Sequence, residues 1–329
     1  MHHLDIPIVD IRQLHHHSQK KNVAAQINTA CRNHGFFYVT GHGVETALQE
    51  ELLEKSKMFF QLPEAEKLEI GMEKGGRAWR GYFPVEAELT AGEPDQKEGI
   101  YFGAELEEDH PYVKAKIPLH GKNLFPLFPT DFGQTVLKYM DAVAQTGQLI
   151  MKGIALSLEL PENYFYDHYT RDPLLLFRIF HYPPQQVNAG QWGVGEHTDY
   201  GLLTILLQDA VGGLQVKSKG EWIDAPPIPD TLICNIGDML DRMTGGLYRS
   251  TPHRVRNISG KSRLSFPLFF DPGFNRKIEP ISHISTTEME EDRQQRWDKS
   301  NIHVFDGTYG DYLLQKIGRV FPDLGKEVL

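Results

Sequence analysis

The chain has 329 residues, of which 40% are hydrophobic and 24% charged, a balance that supports a buried core and excludes a disordered chain. Acidic residues outnumber basic ones by 44 to 34, for a net charge of −10, which argues against nucleic acid or an anionic membrane as partner. No apolar run approaches the roughly 20 residues of a membrane span, and Met1-His2-His3-Leu4-Asp5 has no signal-peptide character. The two cysteines, Cys31 and Cys234, sit in separate apolar stretches and make no disulfide framework, so a monomeric protein of the reducing cytoplasm is expected.

An extended apolar run, Ile6 to Ile11, opens the chain. His15-His16-His17 stands among polar residues and reads as a solvated helix start rather than a metal site. A helix is predicted over Val23–Arg32, a strand over Gly35–Val39, and a second helix from Glu45 to Phe60, stopped by Pro63. Residues 71–103 are glycine-punctuated and read as loop. A long helix, Thr135–Glu159, carries Val136, Met140, Val143, Ile150, Ile154 and Leu158 at helical spacing. From Leu174 the texture changes to short strand-length runs between turns: Leu174–Tyr182, Leu202–Leu207, Gly213–Val216, Thr231–Ile236 and Arg263–Phe270. That spacing predicts a sandwich or barrel, and a last helical pattern spans Tyr309–Val320. The expectation is a mainly β core wrapped by flanking helices.

His197-Thr198-Asp199 is the first chemistry-bearing motif. On a strand, residues two apart face the same way, so an imidazole and a carboxylate enter one cavity. The tripeptide alone means little, since His3-Leu4-Asp5 is a second copy near the terminus. Context separates them: His197 follows the turn Gly193-Val194-Gly195 and precedes an apolar strand, and His253 in Thr251-Pro252-His253-Arg254-Val255 offers a third ligand. Two histidines and one carboxylate suit non-haem Fe(II), and equally a catalytic zinc. Further on, Arg263 and Ser265 in Arg263-Leu264-Ser265 share a strand face and can meet one carboxylate, from a dicarboxylate co-substrate or from an internal Asp or Glu.

Taken together these motifs resemble the Fe(II)/2-oxoglutarate-dependent oxygenases of the isopenicillin N synthase-like group, and the resemblance covers nearly the whole chain. It is carried by Ile6-Pro7-Ile8-Val9-Asp10, by the run from Ala30 to Val44 containing His34, Gly35, Phe36, Gly41 and His42, and by the His197, His253 and Arg263 motifs in order. It implies a distorted double-stranded β-helix (jelly-roll) core over 172–275, an N-terminal region over 1–120 and a C-terminal helical region over 276–329, in one compact unit. It implies iron held by His197, Asp199 and His253, with Arg263, Ser265 and Tyr182 on the distal carboxylate of 2-oxoglutarate. Phe180 stands where the family usually has a polar residue, which leaves the other end of the co-substrate without an assigned support. His42 belongs to a fold-defining turn and His34 to ordinary packing; neither is assigned a metal.

The implied reaction consumes 2-oxoglutarate and O₂, releases succinate and CO₂, and hydroxylates a small organic substrate. Two rivals remain at this level: an iron-dependent oxidase that does not use 2-oxoglutarate, and a non-catalytic metal- or ligand-binding protein on the same scaffold. For the substrate, the loop Gly75–Pro84 combines cations and aromatics, so Arg77 or Arg80 is expected to clamp an anionic group, with Trp79, Tyr82, Tyr101 and Phe180 as walls.

Overall fold

Short, largely buried apolar runs such as Leu174–Tyr182 and Leu232–Ile236 build the larger of two sheets that line one cavity. The computed structural model describes residues 6–16, 18–90, 92–184, 192–282, 284 and 301–320. The strands before the midpoint are β1 (Ile8–Asp10), β2 (Phe36–Thr40), β3 (Gly81–Phe83), the short pair β4 (Leu89–Thr90) and β5 (Glu93–Pro94), and β6 (Glu98–Gly103). Those after it are β7 (Leu174–Tyr182), β8 (Val194–His197), β9 (Leu203–Gln208), β10 (Leu214–Ser218), β11 (Glu221–Asp224), β12 (Leu232–Ile236), β13 (His253–Val255) and β14 (Arg263–Asp271). An eight-stranded sheet runs β1-β2-β12-β9-β14-β7-β6-β3, and a four-stranded sheet runs β11-β10-β13-β8.

The helices are α1 (Lys20–Asn33), α2 (Thr46–Phe60), the single turns α3 (Glu64–Lys67) and α4 (Pro111–Lys114), α5 (Phe132–Ser157), α6 (Asp238–Met243) and α7 (Tyr309–Val320). α5 buries Val136, Met140, Val143, Ile150 and Ile154 on one stripe, as its helical spacing requires. Two glycines set how closely it packs. A Cβ at Gly147 would lie 2.7 Å from the Phe270 ring on β14, and one at Gly153 would lie 2.5 Å from Ile27 on α1. Helices at both ends of the chain thus share one core with the eight-stranded sheet, joining Val23, Ile27 and Leu52 to Phe177, Leu268 and Leu313.

The region read as loop, 71–103, differs. It contributes β3 and β6 to the large sheet, with β6 paired to β7 and all six of its residues buried. The glycines of β6 are there for close approach and not for turns. A Cβ at Gly99 would meet Phe180 and Phe83 at 2.8 Å, and one at Gly103 would collide with the Arg80 guanidinium. His15 ends a short 3₁₀ turn ahead of α1, and His15 and His16 are exposed; His17 and the His3 tripeptide lie outside the described residues. Cys31 and Cys234 are free and buried, and burial pushes both thiols up and out of reactivity. No helix among the described residues is long and apolar enough to cross a membrane.

Candidate active site

Antiparallel pairing of β13 with β8 places His253 directly opposite His197, and Asp199 follows two residues past the end of β8. One ligand atom from each of the three lies within 4.8 Å of the other two. His197 Nε2 is 3.8 Å from Asp199 Oδ1, and His253 Nε2 is 3.7 Å from Asp199 Oδ2.

The surrounding hydrogen bonds hold each group in the state a metal needs. His197 Nδ1 sits 2.8 Å from the Gly195 carbonyl and His253 Nδ1 3.2 Å from that of Thr251. A carbonyl only accepts, so each Nδ1 is the donor and each ring turns its Nε2 toward Asp199. Asp199 Oδ2 accepts from Thr204 Oγ1 at 2.5 Å and from Asn235 Nδ2 at 2.7 Å, which fixes the carboxylate plane. Burial alone would raise the Asp199 carboxyl, but His253, His197 and these two donors outweigh it and hold it below the usual range. Burial, and then the neighbouring His197, pushes His253 down to about 4, so a carboxylate stands beside a neutral imidazole at neutral pH. That is the protonation pattern of a cation site.

The three residues open on a cavity of about 390 Å³ lined from both sheets. At one end lies Arg263, fully buried, with Tyr182 facing it across the β14–β7 register and its ring 4.6 Å from the guanidinium carbon. Arg263 Nε donates to the Gly212 carbonyl and Nη2 to Gln208 Oε1 at 3.4 Å, while Nη1 has no hydrogen-bond partner among the described residues. A buried guanidinium nitrogen left unbonded is costly, and a carboxylate in the cavity would satisfy it. Ser265 Oγ lies 3.5 Å from the Tyr182 hydroxyl. These residues therefore fit the distal carboxylate of a 2-oxoglutarate molecule.

The cations of the expected substrate loop are not at the cavity. Arg77 is exposed and points its Nη1 toward the Lys116 carbonyl, 3.4 Å away. Arg80 is buried and donates to the Leu119 carbonyl at 2.8 Å, in a separate small cavity beside His120 and Phe274. Burial, then the nearby Arg178 charge, pushes the Arg80 guanidinium down to about 9. Tyr82 turns away as well, donating to Glu98 Oε2 at 2.5 Å. Arg77 lies in the 3₁₀ segment Met72–Ala78 and Arg80 in the link ahead of β3, so neither stands on a strand that faces the cavity. Of the expected walls, Trp79, Tyr101 and Phe180 do line the cavity.

Tyr82 instead belongs to a buried knot. Glu98 accepts from Tyr82, from Lys67 Nζ at 2.6 Å, and pairs with His181 Nδ1 at 2.7 Å. Burial would raise Glu98, but the bonds from His181, Lys67 and Tyr82 win and lower it. The stabilisation is thus present above the ordinary carboxylate pKa and is lost as pH falls through the lowered folded value. Glu98→Gln is expected to cost about 2–3 kcal/mol and to flatten the acid side of the melting-temperature profile, as followed by circular dichroism against pH.

The sequence reading missed Arg178, Glu88, Lys97 and Asp271, all of which line the cavity. The one available signal was a charged residue, Arg178, inside the otherwise apolar run Leu174–Phe180. His42 keeps its turn role, its Nδ1 accepting from the Val44 amide at 3.1 Å, and His34 Nδ1 is 3.0 Å from Ser218 Oγ.

The chain's relatives agree with this chemistry. Residues 6–127 match the family described as non-haem dioxygenase in morphine synthesis N-terminal, and residues 173–272 match the 2OG-Fe(II) oxygenase superfamily. A Dictyostelium discoideum protein named "Probable iron/ascorbate oxidoreductase" is 51% identical over 98% of this chain and 97% of its own. A 1-aminocyclopropane-1-carboxylate oxidase of Dictyostelium mucoroides is 42% identical over 97% of this chain and 95% of its own. A full-length Neurospora crassa protein, crystallised in complex with alpha-KG and thymine, superposes with a TM-score of 0.79 at 28% identity, covering 95% of this chain and 96% of that one. Identity of this order over nearly the full length, with the superfamily's own pattern across the β core, makes the chain a member of the Fe(II)- and 2-oxoglutarate-dependent oxygenases.

Proposed function

We propose that His197, Asp199 and His253 hold the iron, that Arg263, Ser265 and Tyr182 hold the distal carboxylate of 2-oxoglutarate, and that the enzyme hydroxylates a small anionic organic substrate in the adjoining cavity. The carrying observation is the His197–His253 cross-strand pair with Asp199 two residues on, beside a buried Arg263 nitrogen that lacks a partner among the described residues. Iron with 2-oxoglutarate and O₂ supplies the oxidising chemistry that breaks a substrate C–H bond, with release of succinate and CO₂. The chain's own residues do the rest. Thr204 and Asn235 orient the Asp199 carboxylate, and the backbone carbonyls of Gly195 and Thr251 hold both imidazoles with Nε2 inward. Arg263 neutralises a carboxylate away from water, with Phe180, Leu206 and Val255 as apolar lining. The net charge of −10 and the two buried thiols support a cytoplasmic monomer that does not bind nucleic acid.

The test is stoichiometry: iron-loaded protein is incubated with 2-oxoglutarate and a panel of small metabolites, and succinate is measured against product. One succinate per product is expected. Product without succinate would instead favour the second reading, an oxidase that dispenses with 2-oxoglutarate. What favours that alternative is the 42% identity to the 1-aminocyclopropane-1-carboxylate oxidase.

A further inference from the structure

Four inward positions of β7 line the cavity in sequence: Leu176, Arg178, Phe180 and Tyr182. Alternation along a strand puts them on one face, so Arg178 stands roughly 13 Å along the strand from Tyr182. It is 7% exposed, and its guanidinium carbon lies 3.5 Å from the centroid of the Tyr101 ring, its register partner on β6. Its hydrogen bonds to backbone are long, from Nη1 to the carbonyls of Phe102 at 3.4 Å and Phe177 at 3.3 Å. No described carboxylate forms an ion pair with it; Tyr101 is hydrogen-bonded to it, and the charges of Glu88 and Asp271 favour it through space.

The other cations of the cavity are accounted for. Lys97 is neutralised by Glu88, at 2.8 Å, and by Asp95. Arg263 serves the co-substrate end. Lys316, from α7, lies over the rings of Tyr200 and Tyr312. A buried cation without a carboxylate in direct contact carries a desolvation cost that a bound anion would offset. A planar guanidinium whose one face is covered by Tyr101 leaves its edge for a planar, two-oxygen anion.

We propose that Arg178 is the substrate's anion clamp, and that the substrate class is a small organic carboxylate with an apolar body. The inference rests on the oxygenase reading of the same cavity and replaces Arg77 and Arg80 in the role expected of them. The carboxylate binds at the Arg178 end of β7, Trp79, Tyr101 and Phe269 pack on the apolar body, and the co-substrate keeps the Tyr182 end.

The test uses the full chain with Mn(II) and 2-oxoglutarate, so that nothing turns over, and Arg178→Met, which keeps volume and removes charge. Hexanoate, benzoate and phenylacetate are titrated by calorimetry and thermal shift, each against its neutral amide. At least one carboxylate is expected to bind and raise the melting temperature, with its amide and the Arg178→Met protein each weaker by about ten- to hundredfold. Without ligand, Arg178→Met is expected to melt no lower than the unaltered protein, because it removes a desolvated charge that no described carboxylate contacts directly. Its affinity for 2-oxoglutarate is expected to be unchanged. The proposal is overturned if no carboxylate binds, if amides bind as well, if Arg178→Met melts lower without ligand, or if that variant loses 2-oxoglutarate instead. Iron-dependent succinate release, measured separately on the unaltered protein, reports on the oxygenase reading alone, so the two failures are distinguishable.

Discussion

Alanine at His197, Asp199 or His253 is expected to reduce iron-dependent turnover to background while the chain stays folded. Each residue supplies one of three ligand atoms within 4.8 Å of one another, and among the described residues no other cluster of metal-ligating side chains is available to replace a lost donor. The fold survives because the site is carried by paired strands rather than by the ligands. Asp199→Ala leaves the Thr204 hydroxyl and the Asn235 amide without their acceptor, a cost of about 1–3 kcal/mol that a domain of this size tolerates. Iron affinity by equilibrium dialysis and melting temperature by circular dichroism separate the two effects. Asn235→Ala, which keeps all three ligands but frees the carboxylate plane, is expected to weaken iron binding by about 10–100-fold. His3→Ala is expected to change neither reading. Full activity in any of the three alanine variants would remove that residue from the metal site.

Arg263→Ala is expected to raise the 2-oxoglutarate requirement by about a hundredfold or more, with little change in iron affinity. Removing one member of a buried charged pair costs about 3–5 kcal/mol, because the remaining charge has no solvent to turn to. At about 1.4 kcal/mol per factor of ten, this exceeds a hundredfold. Arg263→Lys is expected to recover only part of the loss, since an ammonium cannot keep the bonds toward Gly212 and Gln208 while also offering a two-pronged contact. The readout is the dependence of succinate formation on 2-oxoglutarate concentration, together with direct binding to the Mn(II) protein. An unchanged requirement would mean that the co-substrate lies elsewhere in the cavity and that Arg263 serves only its bonds to Gln208 and Gly212.

Local pattern carried much of the architecture. The strand-length apolar run Leu174–Tyr182 and the helical stripe of Val136, Met140, Val143, Ile150 and Ile154 appear in the structure where they were expected, within a few residues at their ends. The shared face of Arg263 and Ser265 is likewise a property of the chain itself, because residues two apart on a strand face the same way. Asp199 differs from that expectation, since it lies past the end of β8 and reaches His197 through the segment that follows the strand.

What lay opposite those residues was not in the local pattern. His253 meets His197 only because β13 pairs with β8 in that register, far apart though the two strands are in the sequence. The glycines of β6 looked like turn residues and are instead clearances for Phe180, Phe83 and Arg80, neighbours that the chain brings close only on folding. The arginines of the 75–84 loop carried the right charge for a clamp, but Arg77 stands at the surface toward the Lys116 carbonyl and Arg80 is held by the Leu119 carbonyl in a second cavity. Arg178 was visible as a charge in an apolar strand; that no described carboxylate pairs with it is a statement about every element around it. Composition and periodicity act over a few residues and so determined the strands, helices and motifs. Register, close approach and the pairing of buried charges depend on partners distant in sequence, and only the tertiary structure decided those.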